Sequence, residues 1–136
     1  MSLADLIEML EKATGPSLEL EGMVWCAVAG YEFVMWDGAG CVYRDPAAPK
    51  WDAGIKHAAA LRVRPYTASL DAAVDLCSRA LPGWRGSIQF GNFGGPVNAY
   101  VCADETVDDV IASHPVPAIA LCIAILKAKQ AQETTE

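Results

Sequence analysis

Apolar residues recur along this chain in helical and alternating registers that predict its elements in turn. Leu3, Leu6, Ile7 and Leu10 follow Ser2 at three- and four-residue spacing, Ser2 is a candidate N-cap, and Gly15-Pro16 ends the segment. Ser17 caps a second short helix with Leu20, Met23, Val24 and Ala27 on its apolar face, closing at Gly30. Met23, Trp25 and their apolar neighbours exceed what one short helix needs to bury, so self-association is expected of this helical hairpin. Further on, Thr67 or Ser69 caps a third helix whose stripe is Leu70, Ala73, Val74 and Cys77, stopped by Pro82-Gly83. Trp84 to Phe90 alternates as a strand, and Val97 to Cys102 is its antiparallel partner across Asn92-Phe93-Gly94-Gly95-Pro96. Pro115 or Pro117 opens the last helix, with Ile119, Cys122, Ile123 and Leu126 facing the core. Lys127 and Lys129 then complement its C-terminal dipole end, and residues 130–136 form a frayed tail.

Between these segments, residues 31–65 are the least regular. Asp37-Gly38 is a turn signal across which Glu32–Trp36 and Cys41–Arg44 can pair as a short hairpin. The rest scatters aromatic residues among prolines and glycines. A structureless stretch this long inside a compact domain implies a task, so function is expected here.

The element order gives an α+β fold, a small antiparallel sheet of three or four strands packed by helices in one domain over residues 1–136. Three runs carry a resemblance: Arg64-Pro65-Tyr66-Thr67-Ala68-Ser69-Leu70-Asp71-Ala72-Ala73, Leu81-Pro82-Gly83-Trp84, and Pro115 to Ala124. Together they resemble the phage ABA-sandwich domain, a family of small phage and prophage proteins. The similarity covers residues 64–129 well and 2–30 loosely, and leaves Arg44 to Arg62 outside it. It implies helices on both faces of the sheet and the cytoplasm of a bacterial host as the setting. It carries over no catalytic residues.

Composition sharpens this. Of 136 residues 53% are hydrophobic and 20% charged, which favours a packed core over disorder. The longest apolar run, Val116 to Leu126, is too short to span a bilayer, so no membrane partner is expected. A net charge of -7 argues against duplex nucleic acid. Yet residues 44–85 hold seven Lys or Arg against four acids, while thirteen acids and three lysines lie elsewhere. The chain is thus a basic middle on an acidic protein.

Catalytic and metal chemistry find little support in the residues. Five cysteines, an odd count without a C-x-x-C pair, predict buried reduced thiols. Cys41 near His57 is the one nucleophile pair that charge suggests. Asp104, Glu105, Asp108 and Asp109 near His114 offer oxygen ligands, but an acidic helix N-terminus explains them equally. Gly91-Asn92-Phe93-Gly94-Gly95 joins two strands and lacks the helix and Lys-Ser/Thr of a phosphate loop. No cofactor or metal is expected.

Binding is the better prospect. Tyr43, Arg44, Lys50, Trp51, Lys56, His57, Arg62, Arg64 and Tyr66 interleave charge with flat rings, and Trp84 follows. Arginine forks take phosphate and aromatic faces take a base. The structural alternative is that the tryptophans fill a core and the arginines pair with Asp71 or Asp75. The phage setting suggests a non-enzymatic protein that sequesters a small phosphorylated signal, a cyclic oligonucleotide or an ADP-ribose derivative. In that reading Arg44, Arg62 and Arg64 clamp phosphates and Trp51, Tyr66 or Trp84 stacks on the base. Two alternatives are an acidic module that docks on a host defence protein and a self-associating phage assembly accessory.

Overall fold

The computed structural model describes residues 2–59, 62–91, 96–103 and 110–134. Four helices, α1 (Leu3–Lys12), α2 (Leu18–Ala29), α3 (Leu70–Ala80) and α4 (Pro117–Thr134), accompany six strands. The strands are β1 (Glu32–Trp36), β2 (Gly40–Arg44), β3 (Ile55–Ala59), β4 (Arg85–Gln89), β5 (Val97–Cys102) and β6 (Val110–His114). The expected α+β class holds. The strands form two antiparallel sheets of three strands, ordered β1-β2-β3 and β4-β5-β6. No helix among the described residues is long and apolar enough to cross a membrane.

Local chemistry sets the helix ends. The Ser2 hydroxyl accepts from the Asp5 N–H while Asp5 answers the Ser2 N–H, a reciprocal cap for α1. Ser17 accepts from the Leu20 N–H, and Gly30 closes α2 in the left-handed region at φ 85. Ser69, not Thr67, caps α3. Thr67 is fully buried, and both its N–H (3.2 Å) and its hydroxyl (2.7 Å) donate to the Glu21 carboxylate. The Ser17 N–H donates to the Thr67 Oγ1 at 3.0 Å. This network lets α2 bury an acid against the start of α3.

α4 is apolar on every side, with Ala118 through Leu126 and Ala128 all buried. Such a helix must be enclosed. β5 and β6 cover it on one side, and α1 and α3 pack against the rest. β5 alternates accordingly, with Val97, Ala99 and Val101 buried. The first sheet packs on α2 and builds a second cluster from Cys26, Cys41, Tyr43, Ala58 and Val63. Trp25 and Phe33 touch both clusters. Gly40 is required where β2 meets β3, because a Cβ there would overlap the Ala58 carbonyl.

Several expectations are corrected. The buried face of α3 is Ala72, Ala73, Leu76 and Cys77, with Val74 left 51% exposed. Residues 31–65, read as irregular, carry a full sheet. The hairpin across Asp37-Gly38 is present, and β3 and β6 are further strands that extend the two expected hairpins. The strands divide between two sheets, with α2 packed on the first and α4 on the second. α4 continues to Thr134, so Lys127 and Lys129 sit within it and residues 130–134 are helical. Lys127 pairs at 3.8 Å with Glu11 of α1 instead of serving a helix terminus. Met23 is buried and Trp25 packs partly against both clusters, while Leu18 on the same helix is 58% exposed.

Candidate functional site

Where α2 ends against the first sheet, three aromatic rings meet. Trp25 lies on α2, Tyr31 directly follows the Gly30 stop, and Tyr43 points inward from β2. Tyr31 stacks on Tyr43 with centroids 4.5 Å apart, and Trp25 meets Tyr43 edge-on at 5.0 Å and Tyr31 at 5.4 Å. Tyr43 is buried, whereas Trp25 and Tyr31 keep part of their rings at the surface. The Arg62 guanidinium sits over Trp25, 5.7 Å from the ring centroid, within range of a cation–π attraction. Lys56 is directly opposite Tyr43 in the β2–β3 register and is exposed. Among the described residues no acidic group pairs with either cation.

Of the nine residues expected to bind ligand, Tyr43 and Arg62 are therefore joined through Trp25, and Lys56 lies opposite Tyr43 in the sheet. The other six are placed elsewhere. Arg44 and His57 point to the outer face of the first sheet, and each is engaged. Arg44 holds Glu32 with two bonds of 2.8 and 3.1 Å, which keeps that carboxyl below its usual range. His57 Nε2 is 3.0 Å from Asp37. The Asp37 carboxyl is held low first by the Ala39 N–H, with the Gly40 N–H and His57 adding to it. Trp51 is 87% exposed in the β2–β3 connection, and Arg64 is exposed in the segment before α3. Tyr66 is fully buried in the main core, where burial raises its hydroxyl pKa. Tyr66 cannot stack on a ligand from there. Trp84 packs on the same core and lines a separate cleft of about 230 Å³ with Val74, Cys77, Ser78 and Ile88.

Trp25 and Tyr31 are the members that sequence reading missed, since Trp25 resembled surplus helix surface. Tyr31 also lines a cavity of about 370 Å³ with Met23, Cys26, Ala27, Glu32 and Phe33, on the α1 side of the cluster. That volume lies in the range of small-molecule pockets.

The Cys41–His57 pair does not form. Cys41 is fully buried on the inner face with its pKa raised by burial, and His57 is on the outer face. Of the suggested oxygen ligands, Asp104, Glu105, Asp108 and Asp109 lie outside the described residues. His114 is buried with both nitrogens engaged: Nε2 is 2.7 Å from the Ala13 carbonyl and Nδ1 accepts from the Val116 N–H at 2.9 Å. Among the described residues no three His, Cys, Asp or Glu side chains gather as a metal site. The basic loop's partners Asp71 and Asp75 are not used by Arg62 or Arg64; Asp75 pairs with Arg79 at 3.1 Å. Comparison with family models, curated proteins and solved structures finds no match to the chain.

Proposed function

We propose that this chain is a non-enzymatic accessory protein that binds a small phosphorylated ligand bearing a flat ring, at the Trp25–Tyr31–Tyr43 cluster. The observation that carries the reading is Arg62 held over Trp25 without an acidic partner among the described residues, with Lys56, likewise unpaired among them, opposite Tyr43 in the sheet. A guanidinium fork and an ammonium suit phosphate, and the open parts of Trp25 and Tyr31 suit a base. A phosphate arriving here displaces no carboxylate, unlike one arriving at Arg44. The net charge of -7 disfavours a long polyanion and leaves a compact ligand as the better fit. A nucleotide signal, whether a cyclic oligonucleotide or an ADP-ribose derivative, has this chemistry. The phage or prophage setting and the role of sequestering such a signal are part of the same proposal. They rest on the resemblance carried by residues 64–84 and 115–124.

A thermal-shift panel of cyclic di- and trinucleotides, ADP-ribose derivatives and mononucleotides tests the reading. A ligand at a hundredfold excess over its Kd stabilises the folded state by about 2.7 kcal/mol, a shift of several degrees. Arg62→Ala is expected to weaken the hit by about tenfold or more, the loss of a charge-assisted hydrogen bond. Its unliganded midpoint should hardly move, because Arg62 is exposed. Full affinity in that variant removes Arg62 from the site.

A second reading is favoured by a different observation. The outer face of the first sheet exposes Val34, Met35 and Ile55, each near half of its surface. Glu32 is ion-paired with Arg44 there, and the His57 ring lies 3.0 Å from the Asp37 carboxylate. An apolar face whose acids already have partners on the same sheet, on a chain of net charge -7, suits a second copy of that chain. The acidic-module alternative has less behind it. Of the seven acids in residues 2–43, Glu21 is buried and Glu8, Glu11, Glu32 and Asp37 each meet a basic side chain.

A further inference from the structure

Two of the five cysteines meet. Cys26 of α2 and Cys41 of β2 place their Sγ atoms 3.6 Å apart, unbonded and buried. The contact follows from the local sequence. Gly22 precedes Cys26 by one helical turn on the same face. A Cβ at Gly22 would come 3.1 Å from Phe33, 3.3 Å from Trp36 and 3.4 Å from the Cys41 sulfur. Because that side chain is missing, the first sheet approaches α2 closely enough for Cys41 to reach Cys26. The other three cysteines are separately placed. Cys122 donates to the Tyr66 carbonyl at 3.3 Å, Cys77 lines the Trp84 cleft, and Cys102 is half-buried on β5.

We propose that Cys26 and Cys41 are a modification site, a dithiol that a small-molecule disulfide converts to an intramolecular cystine joining α2 to the central strand of the first sheet. The bond needs the sulfurs to close from contact to about 2.05 Å. One cysteine thiolate attacks the small disulfide, forming a mixed disulfide and releasing one small thiolate. The second cysteine attacks that mixed bond, closing the cystine and releasing the other. The cysteines lose two electrons, the small disulfide gains them, and the two thiol protons end on the released thiolates. Burial pushes the pKa of both thiols up, so the first attack is slow and waits on the sheet opening from α2. Trp25 adjoins Cys26, and Tyr43 lies two residues from Cys41 on the same strand face. The cystine therefore ties together the two walls that carry the aromatic cluster, whatever binds there.

The test holds the wild-type chain at equilibrium in buffered mixtures of oxidised and reduced glutathione. Free thiols are then blocked, the digest is mapped by mass, and the melting temperature is read in parallel. The expected product is one cross-linked peptide pair containing Cys26 and Cys41, lighter by two hydrogens. It should appear at a smaller oxidised fraction than glutathione on half-buried Cys102, melt higher than the reduced chain, and revert with dithiothreitol. Cys26→Ser should lose that cross-link. Both residues remaining free thiols in fully oxidised glutathione overturns the proposal. So does separate glutathione on each, or a cystine that uses another cysteine.

Discussion

Thr67 has two options open to a threonine before a helix: to cap it, or to join a buried network. It takes the second because Glu21, 46 residues away, needs a donor inside the core, and Ser69 is left to cap α3. Thr67→Val keeps the shape and removes the hydroxyl, leaving a buried carboxylate short of its closest donor and the Ser17 N–H without its acceptor. A hydrogen bond to a charged group is worth about 1.5–3 kcal/mol, and urea unfolding should show a loss of that order. An unchanged midpoint would mean the network contributes nothing. The caps Ser2 and Ser17 were legible because capping is decided within three residues. The choice between Thr67 and Ser69 was not, since its cause is distant in sequence. Val74 was misplaced for a related reason. Apolar identity alone cannot say which side of α3 turns to α4, and the structure turns Leu76 inward.

At the scale of elements, strands marked by their own alternation or by a turn signal could be read, and β3 and β6 could not. β1 and β2 flank Asp37-Gly38, where the Asp37 carboxylate accepts from Ala39 and Gly40 and fixes the turn locally. β3 has one β-branched residue, Ile55, and exists because β2 offers a free edge after a ten-residue connection. β6 is likewise defined by its pairing to β5. The outer face of the first sheet then makes its own prediction. Three strands about 4.8 Å apart and five residues long give a modest face, below the roughly 800 Å² per partner of a stable complex. Self-association through it should be weak, visible in sedimentation velocity only as concentration rises, and abolished by Ile55→Lys. A monomer at every concentration would remove the second copy from consideration.

Over the whole molecule, the main core around α4 and the smaller cluster under the first sheet meet through Trp25 and Phe33. The proposed ligand site lies at that seam. The sequence offered Tyr43, Lys56 and Arg62 because charge and rings alternate along the basic middle. It also offered Tyr66 and Trp84, which share that composition but belong to the main core. Composition records what chemistry is present; only the fold says which side of a sheet it faces. Four tryptophans sit in four different settings, and this permits a direct test. Trp25 is in the cluster, and Trp36 has a buried Nε1 without a hydrogen-bond partner among the described residues. Trp51 is exposed in a loop, and Trp84 is against the second sheet. The decisive measurement is a two-dimensional nitrogen–proton spectrum of the four indole groups while the nucleotide panel is titrated in. The account predicts that a binding nucleotide moves the Trp25 indole and leaves Trp84 in place. Movement of Trp51 or Trp84 alone, or no movement of any indole across the panel, would contradict it.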